Sequence, residues 1–284
     1  MIFRPDTSCQ VFLCIGYNNS MLEKWIELLR RMILACAFTG EKPAVFGAFH
    51  CGMTLCMIAL AAFGAYMVHG RSDDEKIRLL HWCGIVMLIS EIWKQLFCYF
   101  VVNGETFSWW YFPFQLCSMP MYLTLVLPYT KHKGTILHFL GGYGFLAGLL
   151  ALLFPEDMLR VWPVFTMHGF LWHGIMLFMA MTAWTMRMAK EASDASAVRL
   201  FLLLCAIAEV INCTGAYTHP SVLPDMFYIS PFTVSYQPVF RDICRMLGRV
   251  PQIVIYIVVL SFAAWVVWKC VERSGNVDKR RSAE

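Results

Sequence analysis

Charge is scarce in this chain. Charged residues make up 15% of its 284 positions, against about 25% in soluble domains, which excludes a self-standing soluble globule. No basic stripe alternates with aromatics on a polar surface, so the net charge of +4 does not point to nucleic acid as a partner. Much of that charge sits in loops and in the terminal Lys279, Arg280 and Arg281, where it suits anionic lipid headgroups. Neither a Cys-x-x-Cys nor a His-x-x-x-His pair occurs, so the twelve cysteines have no metal-site spacing. Most of them, including Cys51, Cys83, Cys117, Cys205 and Cys213, lie in apolar runs, where free cysteine packs as a small hydrophobe. Residues 1–17 lack the basic start, long apolar core and small-residue cleavage site of a signal peptide. Internal repeats and low-complexity segments are absent too.

Hydrophobic residues, at 59%, fill the space that charge leaves. A helix needs about 20 apolar residues to cross a bilayer. On that measure the chain reads as an all-α, polytopic membrane bundle of seven transmembrane helices, over residues 44–69, 77–102, 109–128, 134–154, 163–186, 197–217 and 249–270. Residues 21–43 read as an interfacial amphipathic helix, with Glu23, Lys24, Glu27, Arg30 and Arg31 set against Trp25, Ile26, Leu28 and Leu29. Such a helix lies in the headgroup plane. Met21 opens this stretch, so residues 1–20 read as an upstream extension with no fold assigned. The bundle occupies residues 44–270 and a basic tail residues 271–284. Most connections are short, and the exception, residues 218–248, holds four prolines and several aromatics. An aperiodic loop of that length is often functional.

Orientation follows the count of Lys and Arg in short loops. The connections after spans one, three and five carry Arg71, Lys76, Arg78, Lys131, Lys133, Arg187, Lys190 and Arg199; those after spans two and four carry only Arg160. This places the first set and the C-terminal tail in the cytoplasm of a multi-pass cell-membrane protein.

Ionisable residues within spans are expensive and mark functional sites by default. Glu91 has Lys94 one turn away, whereas Glu209 has only Asn212 near it in sequence. With alternating spans and about 1.5 Å rise per residue, His50, Glu91, Lys94, Cys117, His168, His173, Glu209 and Asn212 all fall roughly 8–17 Å below the outer ends of their helices. Taken singly, each has a bland reading. Buried polar residues glue bundles together, and a Glu–Lys pair at i,i+3 neutralises itself. Their convergence on one depth from different spans favours a pocket. Cys117 also stands out, because Pro120 cannot donate to the carbonyl of Leu116 and so is expected to free it beside the cysteine. Irregular backbone at membrane depth is tolerated where it lines an enclosed cavity. His168 and His173 point about 140° apart on a straight helix, so only one of them is expected to face the cysteine.

These motifs together resemble the YwaF-like family of bacterial integral membrane proteins. The matching pieces are Phe46-Gly47-Ala48-Phe49-His50, Glu91-x-x-Lys94, Pro113-Phe114-Gln115-Leu116-Cys117, Tyr143 with Gly148, Leu153-Phe154-Pro155, His168 with His173, and Asn212 with Met226-Phe227-Tyr228. The resemblance extends to a eukaryotic transmembrane acyltransferase acting on ether phospholipids, which in turn is similar to the androgen-induced-gene hydrolases of fatty esters. It implies Cys117 as the acyl-accepting nucleophile and His168 as its base. Membrane lipids are the expected partners, and no metal or cofactor is expected. A local departure is Leu116, where the eukaryotic enzyme has a different motif before the cysteine. The alternatives are a lipid or small-molecule transporter or receptor built on the same polar layer, and a metal-dependent intramembrane hydrolase using His50, His168, His173, Glu91 and Glu209.

The charge count gives a first prediction. Cysteine-accessibility labelling should report positions 131 and 193 from the cytoplasmic side and position 103 from the opposite side; label reaching position 103 from the cytoplasm would reverse the orientation.

Overall fold

The computed structural model describes the backbone of residues 8–220, 222–235, 237 and 239–281, and side chains between 21 and 274. The expectation of an upstream extension at residues 1–20, and the end of the basic tail, fall wholly or partly outside those residues. All regular structure among the described residues is helical.

Helix α1 (Ser8–Ala35) precedes the bundle. Its Trp25, Leu22 and Met32 are exposed, whereas Ile33 is buried against Phe97 and Phe165. Arg30 Nε reaches Glu105 Oε1 at 2.7 Å, which ties α1 to the loop that follows the next-but-one helix. Helix α2 (Ala48–Met67) comes next. Helix α3 (Asp73–Phe97) starts from a capping box: Ser72 Oγ accepts from the Glu75 N–H, and the Ser72 N–H donates to Glu75 Oε2 at 3.0 Å. These reciprocal bonds satisfy donors that helix starts leave free. The helix runs on through a π turn, Cys98–Val102.

The expected third span is broken. Residues 103–115 hold no α-helix, and the apolar helical stretch is only Leu116–Tyr129. It consists of a 3-10 turn at Leu116–Ser118, helix α4 (Met119–Val126) and a second 3-10 turn. Fourteen helical residues reach about 21 Å, short of a hydrocarbon core of about 30 Å. Pro113 and Pro120 explain the break, since proline suits only the first turn of a helix; Pro120 lies in the first turn of α4. Among the described residues six helices, where seven spans were expected, are long and apolar enough to cross a membrane by length and composition.

Helix α5 (Lys133–Phe139) passes through a π turn, Leu140–Gly144, into α6 (Phe145–Leu153). The widened turn disturbs the regular ladder, and Trp184 Nε1 donates to the Gly141 carbonyl at 2.8 Å. Central helix α7 (Pro163–Trp184) packs against α2, α3 and α6. A short α8 (Arg187–Glu191) leads into α9 (Asp194–Thr218), then α10 (Phe240–Leu247) and α11 (Arg249–Arg281).

Helices α3 and α4 meet at Gly84. A Cβ there would collide with the Thr124 hydroxyl and press on the backbone of Leu125 and Met121. Thr124 is fully buried, and its hydroxyl donates to the Pro120 carbonyl at 2.7 Å. Gly84→Ala should therefore destabilise the protein by roughly 1–3 kcal/mol, as overpacking does. A lowered unfolding midpoint in detergent would register it, and an unchanged midpoint would contradict this close approach.

Candidate functional site

The carboxylate of Glu91 is buried and paired within α3. Its side chain is 4% exposed, and Oε1 accepts from Lys94 Nζ at 2.7 Å and from Gln95 Nε2 at 2.6 Å. Gln95 Nε2 also meets the Tyr111 carbonyl at 2.5 Å, fastening α3 to the irregular segment before Cys117. Positions i+3 and i+4 share a helix face with residue i, so one stripe of α3 supplies the carboxylate, the ammonium and the amide. Glu91 Oε2 is buried with no hydrogen-bond partner among the described residues.

Helix α7 supplies the facing wall. The His168 ring lies among Trp93, Phe165 and Trp172, with centroids 5.7, 6.3 and 5.7 Å away, and it also interacts with the Ser90 backbone. Its Nε2 is buried without a partner among the described residues. Trp172, one turn further along, donates from Nε1 to the Cys117 carbonyl at 3.1 Å, so the face of α7 that bears His168 abuts the Cys117 turn. His173 Nδ1 donates to the Gly169 carbonyl at 2.7 Å, which leaves Nε2 as that ring's basic nitrogen. Lys94 acts electrostatically on Cys117, His168 and His173 alike, and Glu91 acts on Cys117. Five of the sequence candidates thus share one environment: Glu91, Lys94, Cys117, His168 and His173.

The carbonyl expected to be free beside Cys117 is not free. The 3-10 turn lets the Met119 N–H bond the Leu116 carbonyl, and it is the Cys117 carbonyl that turns outward, to Trp172.

Three other candidates are engaged elsewhere. His50 is 2% exposed; its Nδ1 accepts from the Phe46 N–H at 3.0 Å and its Nε2 donates to the Leu152 carbonyl at 2.8 Å. Both ring nitrogens are used in joining α2 to the end of α6. Glu209 is bound within its own helix region, by Asn212 Nδ2 at 3.3 Å and the Cys213 thiol at 3.8 Å. Asn212 holds a loop: its Oδ1 accepts from the Met226 N–H at 2.7 Å and its Nδ2 donates to the Met226 carbonyl at 3.3 Å. Among the described residues no three His, Cys, Asp or Glu side chains are grouped to hold a metal ion.

The sequence singled out the loop that Asn212 holds, through its length and the Met226-Phe227-Tyr228 motif, but not the cage built around it. Residues 225–230 of the long connection are buried, apart from the half-buried Tyr228. Gln115, two residues before Cys117, clamps them from the other side, with Nε2 donating to the Asp225 carbonyl and Oε1 accepting from the Phe227 N–H, both at 2.9 Å. Arg249 at the start of α11 completes the cage. It donates to Asp225 Oδ1 at 3.0 Å, the Tyr228 carbonyl at 3.2 Å, the Ser230 carbonyl at 2.6 Å and Gln252 Oε1 at 2.5 Å. Phe227 is stacked between Phe114 and Phe201, with centroids 5.9 and 6.3 Å away. Signals existed for part of this cage and for the neighbours of Glu91 and His168. Gln115 stands in the Pro113–Cys117 motif, Gln95 is four residues from Glu91, and Trp172 is four from His168. Asp225 and Arg249, in contrast, lie 24 residues apart, one in an aperiodic loop.

A bundle of apolar helices enclosing an ionisable, partly unsatisfied centre defines a polytopic integral membrane protein with an internal polar site. A model of the TMEM164 family matches residues 45–271, and the chain belongs to that transmembrane protein family. No curated protein and no solved structure matches the chain.

The cage makes a stability prediction. Arg249→Gln would leave the 1%-exposed Asp225 side chain as an unpaired buried carboxylate, at a cost of about 3–5 kcal/mol. Asp225→Asn combined with Arg249→Gln should recover part of that loss in a detergent unfolding assay. Additive losses in the double variant would mean that the two residues do not act as a pair.

Proposed function

We propose that this chain is an integral membrane enzyme acting on the ester of a membrane lipid by cysteine-dependent acyl transfer or hydrolysis. Cys117 is the nucleophile, His168 the base and acid, and Glu91 with Lys94 the charged support beside them. The observation that carries this reading is a pair of orphan atoms. Glu91 Oε2 and His168 Nε2 are both buried and unpartnered among the described residues, on neighbouring helices, around an ammonium that acts on the Cys117 thiol. An unsatisfied buried polar group costs about 1–3 kcal/mol, and more when charged, so a site that keeps two of them is suited to an occupant. One can accept a hydrogen bond, and the other can take or give a proton.

The chemistry follows from those roles. His168 takes the thiol proton as Cys117 Sγ bonds to the ester carbonyl carbon. The carbonyl electrons move to oxygen, then return as the bond to the alcohol oxygen breaks, and His168 gives that oxygen its proton. The thioester left on Cys117 is released by a second lipid hydroxyl or by water, with the same imidazole acting as base. His173, held as the Nδ1–H tautomer, offers a second basic nitrogen on the same helix. Asn212, with its amide occupied, serves as a loop anchor and not as an oxyanion donor. His50 and Glu209 support the scaffold. The C-terminus lies in the cytoplasm and the site nearer the opposite face of the cell membrane.

Cys117→Ala should abolish acyl transfer from an ester-bearing phospholipid in reconstituted vesicles while leaving the unfolding midpoint close to that of the parent. His168→Ala should impair the same step, and the two losses should not add, since the groups act as one unit. Cys205→Ala removes a buried thiol outside the site and should leave transfer unchanged. Undiminished transfer by Cys117→Ala would remove the cysteine as nucleophile and favour a binding or transport role for the polar centre.

A further inference from the structure

The addition of a thiolate to an ester places negative charge on the former carbonyl oxygen, and a hydrogen-bond donor aimed at that oxygen is worth more than any other single group in such a site. Among the residues around Cys117 the obvious donors are compromised. Lys94 Nζ is bound to Glu91, both polar atoms of Asn212 are taken by the Met226 backbone, and the Trp172 indole is spent on the Cys117 carbonyl.

The caged loop offers another. Phe227 and Tyr228 have φ of +57° and +59°, two consecutive left-handed residues that are not glycine. That conformation costs roughly 1–2 kcal/mol per residue and persists only where the surroundings over-determine it, which is most often at functional sites. Here Gln115, Asn212 and Arg249 impose it through the backbone hydrogen bonds described above. Phe227 fills an aromatic stack in the core, and Tyr228 follows it directly in the strained turn. The Tyr228 phenol lies within electrostatic reach of Cys117, Asp225, Tyr256 and Asp157. The Tyr228 backbone carbonyl is held by Arg249 of α11, and the N–H of the residue before it by Gln115, two residues before Cys117. Gln115 makes this placement rigid, because the residue that caps the Cys117 turn also holds the backbone immediately before Tyr228. Burial pushes the phenol above the ordinary tyrosine value, so it stays protonated and remains a donor.

We propose that Tyr228 is a catalytic residue of the acyl-transfer site, its phenolic O–H donating to the oxyanion formed when Cys117 adds to the ester. This rests on the reading of Cys117 as nucleophile. The phenol keeps its proton throughout: the thiol proton goes to His168 and on to the leaving alcohol, and Tyr228 only stabilises the charge between the two transfers. The strained loop is then a device for presenting one hydroxyl, and its anchors Gln115, Asn212 and Arg249 are positioning residues.

The test uses the full-length protein in detergent micelles with p-nitrophenyl octanoate as probe. It reads the burst of nitrophenolate and the octanoyl mass adduct on the peptide containing Cys117. Tyr228→Phe keeps the ring in place and should slow acylation by roughly ten- to several-hundredfold, chiefly in kcat, with an unfolding midpoint near that of the parent. Incorporation of 3-fluorotyrosine at position 228, a stronger donor of nearly the same size, should hold or raise the rate, and it keeps the question open to test even where the phenylalanine variant folds poorly. Parental acylation by Tyr228→Phe, while Cys117→Ala gives no adduct, would overturn the role of Tyr228 alone. A parent protein that is never acylated, or Cys117→Ala acylated as fast as the parent, would overturn the nucleophile reading and the Tyr228 proposal with it.

Discussion

A carboxylate placed among apolar helices has to be held, and the way Glu91 is held organises the centre of this protein. Removing such a group from water costs several kcal/mol even after relaxation. Lys94 and Gln95 offset that cost at Oε1, at 2.7 and 2.6 Å, and in doing so commit one face of α3 to the interior. Gln95 extends the arrangement to the Tyr111 carbonyl, so the irregular segment leading to Cys117 is fixed by the same cluster. The other carboxylate oxygen is buried without a hydrogen-bond partner among the described residues, as is Nε2 of His168 on α7.

Around that centre the protein spends polar side chains on backbone. Trp172 bonds the Cys117 carbonyl, Trp184 that of Gly141, and Trp268 that of His138 at 2.8 Å; Gln115, Asn212 and Arg249 bond the loop at 225–230. Backbone groups freed by π turns, 3-10 turns and prolines have no water to turn to at membrane depth. Indoles and amides take its place. The irregular segments can therefore be rigid, which is what a site built on them requires.

The spans were legible in the sequence wherever hydrophobic length alone decided the matter, as for α2, α3, α7, α9 and α11. The third was misread because residues 109–128 carry no charge and are mostly apolar, whereas the helical stretch between Pro113 and the next loop begins only at Leu116. Of the residues that depth arithmetic set at one level, Glu91 and Lys94 pair on α3, and the Cys117 turn is tied to α7 one turn from His168, through Trp172. That arithmetic could not tell these from His50, Glu209 and Asn212, which share the depth but spend their polar atoms on neighbouring backbone or within their own helix. Depth is a single coordinate, and azimuth around the bundle axis is set by packing. The cage around Tyr228 was illegible for a related reason. Its members come from three elements far apart in sequence, and its loop has no period to read.

The account stands on the chemistry of one sulfur. The most direct measurement is peptide-mapped mass spectrometry of the purified protein after incubation with phospholipid vesicles, with and without neutral hydroxylamine, which cleaves thioesters and spares oxygen esters and amides. The prediction is a fatty-acyl adduct confined to the peptide containing Cys117 and lost on hydroxylamine treatment. Acylation at another residue, or active lipid turnover with Cys117 never modified under conditions that trap thioesters, would contradict it.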